Sequence, residues 1–148
     1  MVAVRHDVFL SLLDQGIMPV LSPICGSALF PPRGQGAWGS DPLATTEDYR
    51  GAIFNVNADN VAEAVALATH ADRLVFVSNV PGVLAGDRLL DHLGPAEAET
   101  LIADGTISGG MIPKVRAALE TVARGVRAVC ITNLPGLRQG AGTVLTAV

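Results

Sequence analysis

The segment Arg73-Leu74-Val75-Phe76-Val77-Ser78 constrains this chain more than any other. Its apolar positions follow one another without the alternation of a strand that faces water on one side. Such runs belong to strands buried on both faces, as in parallel sheets covered by helices. A second run, Ala128 to Thr132, has the same character. Helical stretches lie around these two. Ala58 to Ala71 is alanine-rich, with Asn57 or Asp59 placed to cap it. Pro95 to Ala103 carries proline in its first turn, and Ile112 to Arg124 is a third helix. Asp7 to Gln15 sets apolar residues at helical spacing, and Gly16 follows as a stop. Further strands are expected at Ala52 to Asn57, at Gly142 to Ala147, and, short and buried, at Ile17 to Ile24. Pro19 and Pro23 put that last one at a sheet edge or a strand end. Strands alternating with helices predict an α/β fold, with a mainly parallel sheet sandwiched by helices.

At 148 residues the chain is expected to form one domain, and a domain of this size buries roughly 70% of its unfolded surface. Hydrophobic residues make up 49% and charged ones 16%, which excludes disorder. The apolar content is high for a free-standing domain, so a covered face or a partner surface is expected. A net charge of −4 argues against a nucleic-acid partner. No stretch approaches the ~18 apolar residues of a membrane helix. The start, Met1 to Asp7, lacks the basic and apolar regions of a signal peptide. Cys25 and Cys130 form neither a disulfide framework nor a metal-type spacing, so a reducing, cytoplasmic setting is expected. His6, His70 and His92 are distant from one another and read as surface histidines. No residue is assigned as a metal ligand.

Gly26 to Arg50 reads as a long Pro/Gly-rich loop holding Trp38 and Tyr49, the chain's one tryptophan and one tyrosine. Loops of that length are usually functional or disordered. Within it, Gly34-Gln35-Gly36-Ala37-Trp38-Gly39 fits G-x-G-x-x-G on paper. The dinucleotide fingerprint needs a strand before it and a helix after it. Here Pro31-Pro32-Arg33 precede and Ser40-Asp41-Pro42 follow, so the match is a loop. No P-loop, nucleophile elbow or zinc signature occurs.

Three segments carry chemistry. Asn55-Val56-Asn57-Ala58-Asp59 concentrates polar groups where a strand passes into a helix, the side of an open α/β sheet at which ligands bind. A helix cap accounts for Asn57 or Asp59, but not for Asn55. Ser78-Asn79-Val80-Pro81-Gly82-Val83 follows a buried strand with a Pro-Gly turn; alone it is a weak signal, common to many loops of this type. Ile107-Ser108-Gly109-Gly110-Met111-Ile112-Pro113-Lys114 opens a helix with two glycines, so backbone can approach an anion at the positive end of the dipole. Lys114 falls in that helix's first turn, where the dipole disfavours a cation. Of ten basic residues it is the one lysine. A surface lysine placed by chance is the plainer account; an ammonium required beside a phosphate is the functional one.

Taken in order, NVNADNVAEAVA, LVFVSNVPGVL and EAETLIADGTISGGMIPKVRAALE resemble the acetylglutamate kinases of the amino-acid kinase family, with the intervening spacing also fitting. Gly142-Thr143-Val144-Leu145 resembles the family's closing strand. The resemblance is to the C-terminal, nucleotide-binding half of a carbamate kinase-like fold. It makes residues 1–148 a single nucleotide-binding domain. It implies transfer of the γ-phosphoryl group of ATP, carried with Mg2+, to the side-chain carboxylate of N-acetyl-L-glutamate, in arginine synthesis. On this resemblance Asn55 would hold the acylated amino acid, Asp59 would orient the catalytic lysines, and Lys114 would stabilise charge on the transferred phosphoryl. Asn79, Val80, Pro81, Gly82, Val83 and Leu84, with Thr106, Ile107, Ser108, Gly109 and Gly110, would line the nucleotide.

The sequence also departs from the family. The N-terminal half, with its own glycine-rich turns, second lysine and substrate-gripping arginine, has no counterpart here. Asn79 stands where the family usually has Asp, and the Gly26 to Arg50 loop replaces a short hairpin. Between Thr132 and Gly142 the connection is shorter than the family's, which includes a helix. Three functions follow as alternatives: a kinase completed by a separate N-terminal half, a non-catalytic nucleotide-binding remnant or regulatory module that forms a homo-oligomer, and a kinase of a related substrate such as carrier-bound aminoadipate.

Overall fold

The computed structural model describes Val4 and residues 6–26 and 53–147. The Gly34 to Gly39 stretch, Trp38 and Tyr49 fall outside that set, as does most of the expected 26–50 loop. Helix α1 (His6–Asp14) forms where the apolar spacing predicts it, and the chain leaves it through Gly16 at φ +73°. Such left-handed backbone is the usual helix stop and suits glycine. No residue of α1 is buried.

The strand expected over Ile17 to Ile24 is not there. Only β1 (Ile24–Gly26) forms, paired antiparallel with β2 (Ile53–Asn55) in a sheet of its own. Met18 and Val20 are 83% and 94% exposed, so that segment is not buried either. Pro19 and Pro23 have no N–H to give to a ladder, which pushes pairing beyond the second proline.

From β2 the chain enters α2 (Ala58–Ala68) through Asn57, whose side chain accepts the Asp59 N–H at 2.8 Å. The cap is therefore Asn57. The helix stops at Thr69, two residues before the expected end, because His70 turns to φ +51°. The apolar run becomes β3 (Arg73–Val77). A hairpin the sequence pattern does not announce comes next, β4 (Leu84–Ala85) and β5 (Arg88–Leu89), followed by β6 (His92–Leu93). Strands of two residues are too short to show any alternation, so the Gly86-Asp87 turn between them is their main signal.

Helix α3 (Pro95–Ala103) begins at its proline, and α4 (Met111–Ala123) leads to β7 (Ala128–Thr132). The short connection after Thr132 nevertheless holds a helix, α5 (Leu134–Gln139). Asn133 caps it by accepting the Gly136 N–H at 2.8 Å, Pro135 lies in its first turn, and Gly140 ends it at φ +71°. The last strand is β8 (Thr143–Leu145).

Four strands make the main sheet in the order β3-β7-β8-β6. The β3/β7 and β6/β8 pairs are parallel, and β7/β8 is antiparallel. Register places Leu74 beside Val129, Phe76 beside Ile131, and Ile131 and Val129 beside Thr143 and Leu145. This face meets Ala66 of α2 and Val115, Ala118 and Val122 of α4 in one buried cluster. On the opposite face Val75, Cys130 and Val144 are only half-buried, and Val77 is 49% exposed. Among the described residues no helix is long and apolar enough to cross a membrane.

Candidate active site

The parallel β3 and β7 run the same way, so their carboxyl ends, Val77-Ser78 and Thr132-Asn133, open on one edge of the sheet. That is where an open α/β sheet offers its crevice. The amino end of α4 and the amino end of α2 bring a lysine and an aspartate together beside this sheet. Lys114 Nζ donates to Asp59 Oδ2 at 2.9 Å, across 55 positions of sequence. The same ammonium stands 5.0 Å from the centroid of the Phe76 ring, within cation–π range. The lysine side chain is 21% exposed and the aspartate 38%, so the pair is shielded yet open to a ligand.

The helix ends account for the arrangement. Asp59 lies in the first turn of α2, where the dipole favours a carboxylate. Lys114 lies in the first turn of α4, where it disfavours an ammonium. One carboxylate therefore satisfies its own helix and offsets the misplaced cation of the other. Two further ion pairs, Arg116 with Glu99 and Arg124 with Glu63, join α4 to α3 and α2.

At the start of α4, Gly109 has φ +55°, and a Cβ on either Gly109 or Gly110 would meet nothing within 4 Å. The Gly-Gly corner is thus bare backbone on the surface, with Ser108 exposed beside it. Thr106 is exposed and gives its N–H to Asp104 Oδ1 at 2.9 Å. Hydrogen bonding from the Thr106 hydroxyl, and then from this N–H, holds the Asp104 carboxyl below its ordinary value. Ile107 behaves differently: it is 2% exposed and belongs to the core.

The turn after β3 divides the same way. Asn79 and Pro81 are exposed, Val80 is half-buried, and Asn79 Oδ1 accepts the Ser78 hydroxyl at 3.2 Å. Val83 is wholly buried. Its N–H goes to Thr143 Oγ1 at 2.8 Å and its carbonyl receives the Leu90 N–H at 2.9 Å. Val83 and Ile107 are therefore core residues beneath the exposed parts of these loops. Leu84 is at the margin of exposure. Asn55, at the carboxyl end of β2, is exposed.

Sequence reasoning missed Phe76 as the ring beneath the lysine, because a core-type run gives no hint of which side chain underlies a cation. It also missed Thr132 and Asn133 at the mouth of β7. There the Asn-Leu-Pro-Gly spelling was the available signal, an N-cap followed by proline in a first turn.

This fold is an α/β fold of the amino-acid kinase and carbamate kinase type. A carbamate kinase from Giardia lamblia superposes with a TM-score of 0.53 at 26% identity, over 64% of this chain and 33% of its own. The chain belongs to the amino acid kinase family, whose model matches residues 2–133. An acetylglutamate kinase of Chloroflexus aurantiacus is 49% identical over 144 residues, covering 97% of this chain and 48% of its own length. The smu.665 structure from Streptococcus mutans UA159 matches with a TM-score of 0.72 at 30% identity, over 99% of this chain and 50% of its own. The chain thus spans about half the length of the curated relatives it matches.

Proposed function

We propose that this chain supplies the ATP-binding half of an acetylglutamate kinase. The observation that carries the proposal is the Lys114–Asp59 pair at the meeting of two helix amino ends, in a chain 49% identical to an acetylglutamate kinase. In the reaction, a carboxylate oxygen of N-acetyl-L-glutamate bonds to the γ-phosphorus of ATP, and the bond to the ADP oxygen breaks. Such transfers rest on positioning and charge neutralisation more than on a covalent protein group. ATP supplies the phosphoryl group and brings Mg2+ on its phosphates.

The residues present fit that task. Lys114 has an ammonium to place on the transferred phosphoryl, and Asp59 holds it by one oriented bond. The uncovered Gly109-Gly110 backbone at the start of α4 suits phosphate oxygens. Thr106, Ser108 and the Asn79–Pro81 stretch, exposed at Asn79 and Pro81, are candidate nucleotide contacts. Asn55 is the candidate hold on the acylated amino acid.

A second half of the fold completes the enzyme in this proposal. Exposed apolar side chains gather on the first elements: Leu13, Ile17, Met18, Val20, Ile24 and Ile53 are all between 49% and 94% exposed. A groove of about 360 Å³ lies nearby, lined by Leu21 and Pro23, by Val61, Ala62 and Val65 of α2, and by Leu74 of β3. Among the described residues β3 is also a sheet edge. Apolar patches of this kind mark surfaces that other protein covers.

The test mixes this chain with the separately produced N-terminal half of the Chloroflexus aurantiacus relative. Acyl phosphate is trapped with hydroxylamine in the presence of MgATP and N-acetyl-L-glutamate. Product from the mixture, lowered by about 10²–10³ in rate with Lys114→Ala, is the expected result. No product from the mixture, together with no saturable MgATP binding by this chain, would overturn the proposal.

A further inference from the structure

We infer that Thr143 is a positioning residue for the Asn79–Leu84 turn, an inference that rests on the reading of this turn as part of the nucleotide site. Thr143 opens β8, is fully buried, and lies 60 positions from Val83. Its hydroxyl closes a ring of three hydrogen bonds. The Val83 N–H donates to Thr143 Oγ1 at 2.8 Å, the Thr143 hydroxyl donates to the Leu90 carbonyl at 2.6 Å, and the Leu90 N–H donates to the Val83 carbonyl at 2.9 Å. Donor and acceptor roles are therefore both fixed, and no other aliphatic side chain than Thr or Ser can fill them.

Close packing supports the same role. Gly82 has φ +155°, and a Cβ there would come within 2.6 Å of Thr143 Oγ1 and 2.9 Å of the Thr143 backbone N. The turn therefore sits directly on the amino end of β8, with no side chain between them. Thr143 in turn pairs with Ile131 of β7 in the middle of the sheet. The central sheet thus sets where Gly82 and Val83 stand, and the exposed Asn79 and Pro81, with the half-buried Val80 between them, hang from that anchor. The Val83 N–H is buried with no water-facing alternative, so losing the hydroxyl leaves it unpaired at the base of the turn.

The test measures MgATP affinity of this chain, residues 1–148, by calorimetry, with hydrogen exchange at the turn, for wild type, Thr143→Val, Thr143→Ser, Thr143→Cys and the core variant Val126→Ala. Removal of one buried partner predicts roughly tenfold weaker binding for Thr143→Val and faster exchange at Val83. Thr143→Ser keeps both bonds and stays near wild type. Val126→Ala lowers stability but leaves affinity unchanged, which separates positioning from mere stability. Should Thr143→Val not fold, Thr143→Cys, which keeps bulk and only a weak donor, carries the comparison with an intermediate affinity. Wild-type affinity in Thr143→Val or Thr143→Cys, or unchanged exchange at Val83, overturns the inference alone. No saturable binding by wild type overturns the nucleotide reading first, whatever the exchange shows, and the inferred role in nucleotide binding with it.

Discussion

Lys114 and Asp59, 55 residues apart, meet at 2.9 Å because the first turns of α4 and α2 face one another beside Phe76. The two partners are not equivalent energetically. Lys114→Met leaves Asp59 at a helix start that favours it, whereas Asp59→Asn leaves Lys114 at one that opposes it. Urea unfolding should show a loss of about 1 kcal/mol for Asp59→Asn and only a few tenths for Lys114→Met, after allowance for solvent screening of a partly exposed pair. Equal losses would contradict the dipole account.

Gly82 and Gly86 both have positive φ, at +155° and +62°, but only Gly82 faces close neighbours. Gly86→Ala should cost about 1 kcal/mol, the strain of left-handed backbone alone. Gly82→Ala adds a clash with Thr143 and Leu89 and should cost about 3 kcal/mol or more. The comparison is read from denaturation midpoints of the two variants.

Burial pushes the Cys130 thiol above its ordinary value, with Arg73 pulling partly the other way. The thiolate is the reactive form. In a Cys25→Ser chain at mildly alkaline pH, Cys130 should alkylate with iodoacetamide markedly more slowly when folded than after addition of denaturant. Equal rates in the two states, followed by mass spectrometry, would show that burial does not protect it.

Asp104 has a lowered folded-state value because its carboxylate accepts hydrogen bonds from Thr106. The stability it contributes is therefore present above the unfolded-chain value of 3.8 and lost as pH falls through the lower folded value. The gap in stability between wild type and Asp104→Ala should stay level near neutral pH and shrink below 3.8. A gap that persists in acid would locate the effect elsewhere than in the charge.

Much of the architecture was legible because its signals are local. The apolar runs at Arg73 and Ala128, the proline opening α3 and the glycines before α4 each specify an element through their own backbone chemistry. Those same signals misled over Ile17 to Ile24, where apolar residues suggested a buried strand. The prolines blocked the ladder, and among the described residues the main sheet leaves those side chains exposed. The β4/β5 hairpin and α5 were too short to build a period, so only their turn and cap residues could announce them.

The candidate site divides along the same line. By itself the sequence determined that Lys114 opens a helix behind two glycines and that Asn57 and Asp59 begin another, since helix ends are set by residues within a few positions. It could not say that the lysine would find that aspartate, nor that Phe76 would lie beneath the ammonium. It also could not separate Asn79 and Ser108, which face outward, from Val83 and Ile107, which are core. Those distinctions depend on sheet register and on contacts across 55 to 60 residues. Only the packed tertiary structure decides such contacts, because burial there is shared by elements distant in the chain.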